Sequence, residues 1–120
     1  YTKEDIENFA KLSGDMNPIH IDDDYSKKTI FKKPIAHGIL VASLISNVIG
    51  NKLPGEGSIY LNQVLKFIKP VFVDDRITAT VVITELDNNK NLINLNTNCK
   101  NQDGNIVITG DAIVLFNQLI

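Results

Sequence analysis

Residues 35 to 50 read Ile35-Ala36-His37-Gly38-Ile39-Leu40-Val41-Ala42-Ser43-Leu44-Ile45-Ser46-Asn47-Val48-Ile49-Gly50. A helix from about Gly38 to Ile49 has apolar side chains on nearly every side, the pattern of a helix buried all round rather than laid on a surface. In a chain of 120 residues this is unusual. Something must wrap it.

The residues that follow supply the wrapper. Ile59 to Phe67 is strand-like and Pro70 interrupts it. Arg76 to Leu86 alternates, with Ile77, Ala79, Val81 and Ile83 on one face. Asp87-Asn88-Asn89-Lys90 has the composition of a hairpin turn. Asn91 to Lys100 alternates next, placing Ile93, Leu95, Thr97 and Cys99 inward and asparagines outward. Asn101-Gln102-Asp103-Gly104 turns again. Ile106, Ile108, Gly110, Ala112, Val114 and Phe116 mark a long last strand. Hairpin-linked strands make an antiparallel sheet with one face for the core. The expected class is therefore α+β, a sheet folded over one central helix in a single domain spanning 1–120.

The opening residues are local helix and loop. Thr2 followed by Asp5 forms a capping box ahead of Ile6, Phe9 and Ala10. Gly14 is the expected stop, since glycine just past a helix accepts positive φ. Residues 15–21 read as a loop, with Pro18 holding Asn17 out of helical conformation. Asp22-Asp23-Asp24 opens a short helical turn with acids at its positive end.

Composition narrows the functions. Twelve Lys and Arg stand against 14 Asp and Glu, a net charge of −2. That removes the basis for non-specific nucleic-acid binding, which rests on neutralising many phosphates. Hydrophobic residues make up 43% of the chain, which argues for a packed core and against disorder. The single cysteine, Cys99, allows no internal disulfide and no thiolate-rich metal site, and suits a reducing, cytoplasmic setting. The apolar run of residues 39–49 is too short for a membrane span.

Both histidines of the chain, His20 and His37, fall in one region with Asp15, Asn17, Pro18 and Gly38. Asp15 and His20 are five residues apart, a gap of up to about 17 Å if extended, so spacing alone does not force contact. A proline-bearing turn would close it. A carboxylate and a neutral imidazole can then hold one water between them and move its proton. Spacing alone favours the plainer reading, in which Gly14-Asp15 ends a helix and His20 is an exposed loop residue. Gly38 opens the central helix, where free N–H groups and the helix dipole suit a developing oxyanion. It equally lets the helix pack closely on the sheet. Ser46 lies about 12 Å along the helix from Gly38, and serines in helices often bond back to a carbonyl one turn earlier. Lys32 and Lys33 read as a solvated pair. Ile45, Ile49 and Val114 are the expected floor of any pocket running along the helix.

Taken together, Ser13-Gly14-Asp15-Met16-Asn17-Pro18-Ile19-His20-Ile21-Asp22 and Pro34-Ile35-Ala36-His37-Gly38-Ile39-Leu40 resemble the signature of the MaoC-like, (R)-specific enoyl-CoA hydratases. The likeness continues through Leu53-Pro54-Gly55-Glu56-Gly57-Ser58-Ile59-Tyr60 and Pro70-Val71-Phe72-Val73-Asp74-Asp75, so it covers nearly the whole chain. The resemblance implies a single hot-dog fold, a homodimer, and reversible hydration of trans-2-enoyl-CoA to (R)-3-hydroxyacyl-CoA without metal or redox cofactor. It implies that Asp15 and His20 activate the water and that Gly38 N–H polarises the thioester carbonyl. Ser46 and Asn17 support them, and His37 is structural. The alternatives are a hot-dog acyl-CoA thioesterase, a 3-hydroxyacyl dehydratase acting on acyl-carrier protein, and a non-catalytic acyl-binding module. The helix from Gly38 to Ile49 holds no Asp or Glu, which speaks against the thioesterase.

Overall fold

The structure is a computed structural model and is described for residues 1–116. Helix α1 runs Lys3–Ser13, α2 Pro18–Ile21, α3 Asp23–Lys27 and α4 Gly38–Asn51; strands β1 to β4 run Ile59–Phe67, Thr78–Asp87, Leu92–Lys100 and Ile106–Leu115.

The ends of α1 follow local chemistry. Thr2 Oγ1 accepts the Asp5 N–H (3.1 Å) and the Asp5 carboxylate accepts the Thr2 N–H (2.9 Å), a complete capping box. Gly14 closes the helix at φ 82° and donates its N–H to the Ala10 carbonyl. The expected loop over 15–21 is in part a helix. Asn17 caps α2, its Oδ1 accepting the Ile19 N–H, and Pro18 takes the first helical position. Proline suits that position because its missing N–H would have no partner there.

The four strands form one antiparallel sheet in the order β1-β4-β3-β2. The two hairpin turns are closed by side chains acting as acceptors. Asp87 Oδ1 takes the N–H groups of Asn89 and Lys90, and Asn101 Oδ1 those of Asp103 and Asn105. On β3 the alternation is as expected: Ile93, Leu95, Thr97 and Cys99 are buried between half-exposed asparagines. On β2 the expected face fails at Ile83, which is exposed because the register slips between Ile83 and Glu85.

Helix α4 packs on β2 and β3 and buries one stripe, Val41, Ile45 and Ile49, among Leu95, Ile108 and Val114. It is not buried all round. Ile39, Ser43, Ser46 and Asn47 face outward, since the sheet covers one side only and the helix's few polar residues share the other. Each fully buried isoleucine in this stripe contributes roughly 1.5–3 kcal/mol over an exposed one. The architecture is a single hot dog, a four-stranded antiparallel sheet with a central helix. Among the described residues no helix is long and apolar enough to cross a membrane.

The sheet contains one close backbone approach. Gly110 on β4 pairs with Leu65 on β1 and Thr97 on β3, and a Cβ added at Gly110 would run into the Val64 carbonyl. The same corner holds the buried Thr97 hydroxyl, which accepts from Gln63 Nε2 (3.0 Å).

Candidate active site

The two sequence motifs meet where the α1–α2 segment passes the start of α4. Asp15 is exposed and held locally. Its N–H donates to Ser13 Oγ (3.1 Å) and its Oδ1 accepts the Asn17 N–H (3.2 Å). Asn17 thus shapes the loop twice, through this bond and through its cap on α2. His20, on α2, is half-buried. Its Nδ1 lies 2.7 Å from the Ile35 carbonyl. A carbonyl oxygen only accepts, so Nδ1 carries the proton and Nε2 keeps a free lone pair.

A carboxylate oxygen of Asp15 and a ring nitrogen from each of His20 and His37 lie within 4.8 Å of one another. Two groups that share one water by hydrogen bonds of ordinary length stand about 4.6 Å apart. The separation therefore suits a water bridge between the carboxylate and an imidazole. The trio also has the composition of a metal site. The His20 and His37 rings are stacked, however, with centroids 3.9 Å apart and planes 27° apart. Their in-plane lone pairs run alongside one another rather than converging, and Nδ1 of His20 and Nε2 of His37 already face carbonyl oxygens. Proton transfer fits this arrangement better than metal ligation.

Burial holds the His20 imidazole below its ordinary pKa of 6.5. The Ile35 carbonyl opposes that shift, the neighbouring His37 ring adds to it, and the Asp15 carboxylate opposes it again. The outcome is a histidine that stays neutral at neutral pH.

His20 and Gly38 line a largely apolar cavity of about 390 Å³. Phe31, Phe67 and Lys69 border it, and Ala36, Val41, Val71 and Ile108 are its buried walls. Gly38 is the first residue of α4, so its N–H has no intrahelical partner. A Cβ there would sit 2.5 Å from the Phe67 ring. Glycine at this position lets the phenyl ring close over the helix start.

Other expected residues lie elsewhere. Ser46 is exposed on α4 and lines a separate shallow groove with Tyr60 and Gln63, because two turns of helix carry it away from Gly38. Ile45, Ile49 and Val114 are packed core and do not line the cavity; Val41, one turn nearer the start of α4, and Ile108, near the start of β4, do. Lys33 lies over the Phe72 ring, 4.3 Å from its centroid. Cys99 is a buried free thiol with its pKa pushed up to about 11 by burial, which suits a core residue and not a nucleophile. Phe31, Phe67 and the Ile35 carbonyl were not legible from the sequence. Their roles arise from contacts between residues far apart in the chain.

Comparison with known proteins bears on the family and the fold. The chain matches the model of the MaoC like domain over residues 1–105. It is 48% identical over 106 residues to the (R)-specific enoyl-CoA hydratase of Aeromonas caviae, covering 88% of this chain and 79% of that one. It is 47% identical over 114 residues to the (R)-specific enoyl-CoA hydratase of Rhodospirillum rubrum, covering 95% and 78%. The solved (R)-hydratase of A. caviae, described as involved in PHA biosynthesis, superimposes with a TM-score of 0.94 at 44% identity, covering 98% of this chain and 89% of that one. With the family model matched over most of its length and the same fold in a near relative, the chain belongs to the MaoC-like domain family.

Proposed function

We propose that the protein is an (R)-specific enoyl-CoA hydratase, which adds water to a trans-2-enoyl-CoA and runs the reverse dehydration. What supports this reading is that an Asp15 carboxylate oxygen and a His20 ring nitrogen lie within 4.8 Å of each other, close to the span of one bridging water, and that His20 and Gly38 line one apolar cavity.

In the proposed reaction, Asp15 and His20 hold one water. Nε2 of His20 takes a proton as the water oxygen bonds to C3 of the enoyl thioester. The C2=C3 π electrons move toward the thioester carbonyl, and the Gly38 N–H donates to the enolate oxygen. His20, now an imidazolium still bonded through Nδ1 to Ile35, returns a proton to C2. One O–H bond and the C2=C3 π bond break, and one C–O and one C–H bond form. Every proton is supplied by the water and the two side chains, so the reading requires no metal or redox cofactor.

Hydration needs His20 neutral. Its pKa lies below 6.5, so activity is present above that depressed value and is lost as pH falls through it. The acid limb of kcat/KM against pH is expected to have its midpoint below 6.5; a midpoint clearly above it would contradict the assignment of His20 as base.

The function is tested by following the absorbance of the conjugated enoyl thioester in crotonyl-CoA. Loss of that band without release of free thiol is the expected result. Thiol release would mark a thioesterase, and binding without turnover a non-catalytic module.

We also propose that the protein is a homodimer. Ile59, Leu61 and Val64 on the edge strand β1 each expose about half of their surface, 52–54%. An edge of that character calls for a cover. Light scattering is expected to return twice the 13.3 kDa of the chain, and a monomer at micromolar concentration would contradict this.

A further inference from the structure

We propose that His37 is a positioning residue that holds Asp15 in register with His20 and Gly38; the inference rests on the hydratase reading. His37 is 2% exposed. Its Nε2 lies 3.1 Å from the backbone carbonyl of Asp15. That oxygen can only accept, so Nε2 carries the proton. Nδ1 is buried with no hydrogen-bond partner among the described residues. A proton there would be a buried donor without an acceptor, so the geometry selects the tautomer with its proton on Nε2.

Packing fixes the direction of that donor. One face of the ring stacks on His20 at 3.9 Å, and Phe9 meets it edge-on with centroids 4.9 Å apart. Phe9 also accepts, through its carbonyl, the hydroxyl of Ser13, whose oxygen in turn takes the Asp15 N–H. The ring is packed against both His20 and Phe9, and its one bond to the Asp15 loop is the one to the Asp15 carbonyl.

The bond matters because of where His37 sits. Residues 35–38 are one tethered segment. Ile35 N–H donates to the Ile19 carbonyl (3.2 Å), and Ala36 N–H to the Val71 carbonyl (2.7 Å). From this segment the Ile35 carbonyl holds His20, His37 holds Asp15, and Gly38 opens α4. The other hydrogen bonds of Asp15, to Ser13 and Asn17, are local to its own loop and do not relate it to His20. Through His37, three groups drawn from two separate stretches of chain share one frame. A bridging water needs both partners in place, and a misplacement of about 1 Å can cost about 100-fold in rate.

Two substitutions separate the donor from the ring. His37→Phe keeps a ring against His20 and Phe9 but has no donor. His37→Gln keeps an amide donor near the place of Nε2–H and gives up the ring. For crotonyl-CoA hydration, His37→Phe is expected to lower kcat about 10- to 100-fold with KM held within about threefold. His37→Gln is expected to recover at least half of that loss on a logarithmic scale. Turnover by His37→Phe within twofold of the wild type would overturn the proposal. So would equal losses in the two variants, which would mark His37 as merely structural. Nitrogen-15 spectra of the wild-type imidazoles test the bond whether or not the variants fold: protonated Nε2 and bare Nδ1 are expected, and an Nδ1–H tautomer would overturn it. A wild type that does not hydrate would defeat the functional reading, and with it the role in catalysis, while the spectrum would still decide the hydrogen bond.

Discussion

Asp15→Asn is expected to lower kcat for enoyl-CoA hydration by about 100- to 10,000-fold, the range that a positioned acid–base group supplies. The substitution isolates the chemistry from the fold. The loop is held by the backbone of residue 15, through Ser13 and His37, and these bonds do not depend on the side chain. The asparagine carbonyl can still accept the Asn17 N–H that Asp15 Oδ1 accepts now. What is lost is the carboxylate: the amide presents a donor where the water's second hydrogen should be received. Residue 15 is exposed, so the melting temperature should move by no more than about 2 °C. Steady-state kinetics with a thermal melt on the same sample checks both halves. Turnover equal to the wild type would remove Asp15 from the reaction.

The second large effect is expected far from the acid–base pair. Gly110→Ala should destabilise the fold by about 3 kcal/mol or more, at or above the upper end for overpacking substitutions. The added Cβ meets the Val64 carbonyl, which is backbone and cannot rotate aside, and it comes within 3.0 Å of the Gln63 amide. β1 would have to lift from β4. The Gln63–Thr97 bond would then break and leave a buried hydroxyl without its partner. Because β1 ends at Phe67, whose ring covers Gly38, the strand's displacement would also open the cavity wall. Thermal denaturation is expected to show a midpoint lower by about 10 °C or more. A midpoint within about 2 °C of the wild type would show that the close approach of β1 is not a constraint.

The parts of the fold that were legible from sequence are those decided locally. Thr2, Asp5 and Gly14 carry the ends of α1 in their own side chains and backbone freedom. The alternation from Ile93 to Cys99 states which face of β3 is buried. Pro18 misled for a local reason: it breaks a helix from within but favours the first position of one, and Asn17 supplies the cap. The apolar content of α4 overstated its burial, because composition does not say how far around the helix the sheet reaches.

The site divides in the same way. Asp15, His20 and Gly38 stand out as residue types able to do chemistry, and the turn at Asn17-Pro18 brings the first two together. The groups that complete the site do not. The Ile35 carbonyl is a backbone atom of an ordinary apolar residue, and it decides the tautomer of His20 across 15 residues of chain. Phe67 reaches Gly38 from another strand, and Gly110 matters through a carbonyl on β1. Position along one helix points to Ser46 and Ile49, whereas the cavity is set by how β1 and the Phe31 segment close over the start of α4.

The stereochemistry of the product tests the hydratase assignment most sharply. Crotonyl-CoA is incubated with the wild-type protein, and the resulting acid, freed from CoA, is resolved on a chiral column. The expected product is 3-hydroxybutyrate of the (R) configuration, formed as its CoA thioester at the rate at which the enoyl band is lost. The (S) enantiomer, a racemate, or crotonate released with free CoA would contradict it.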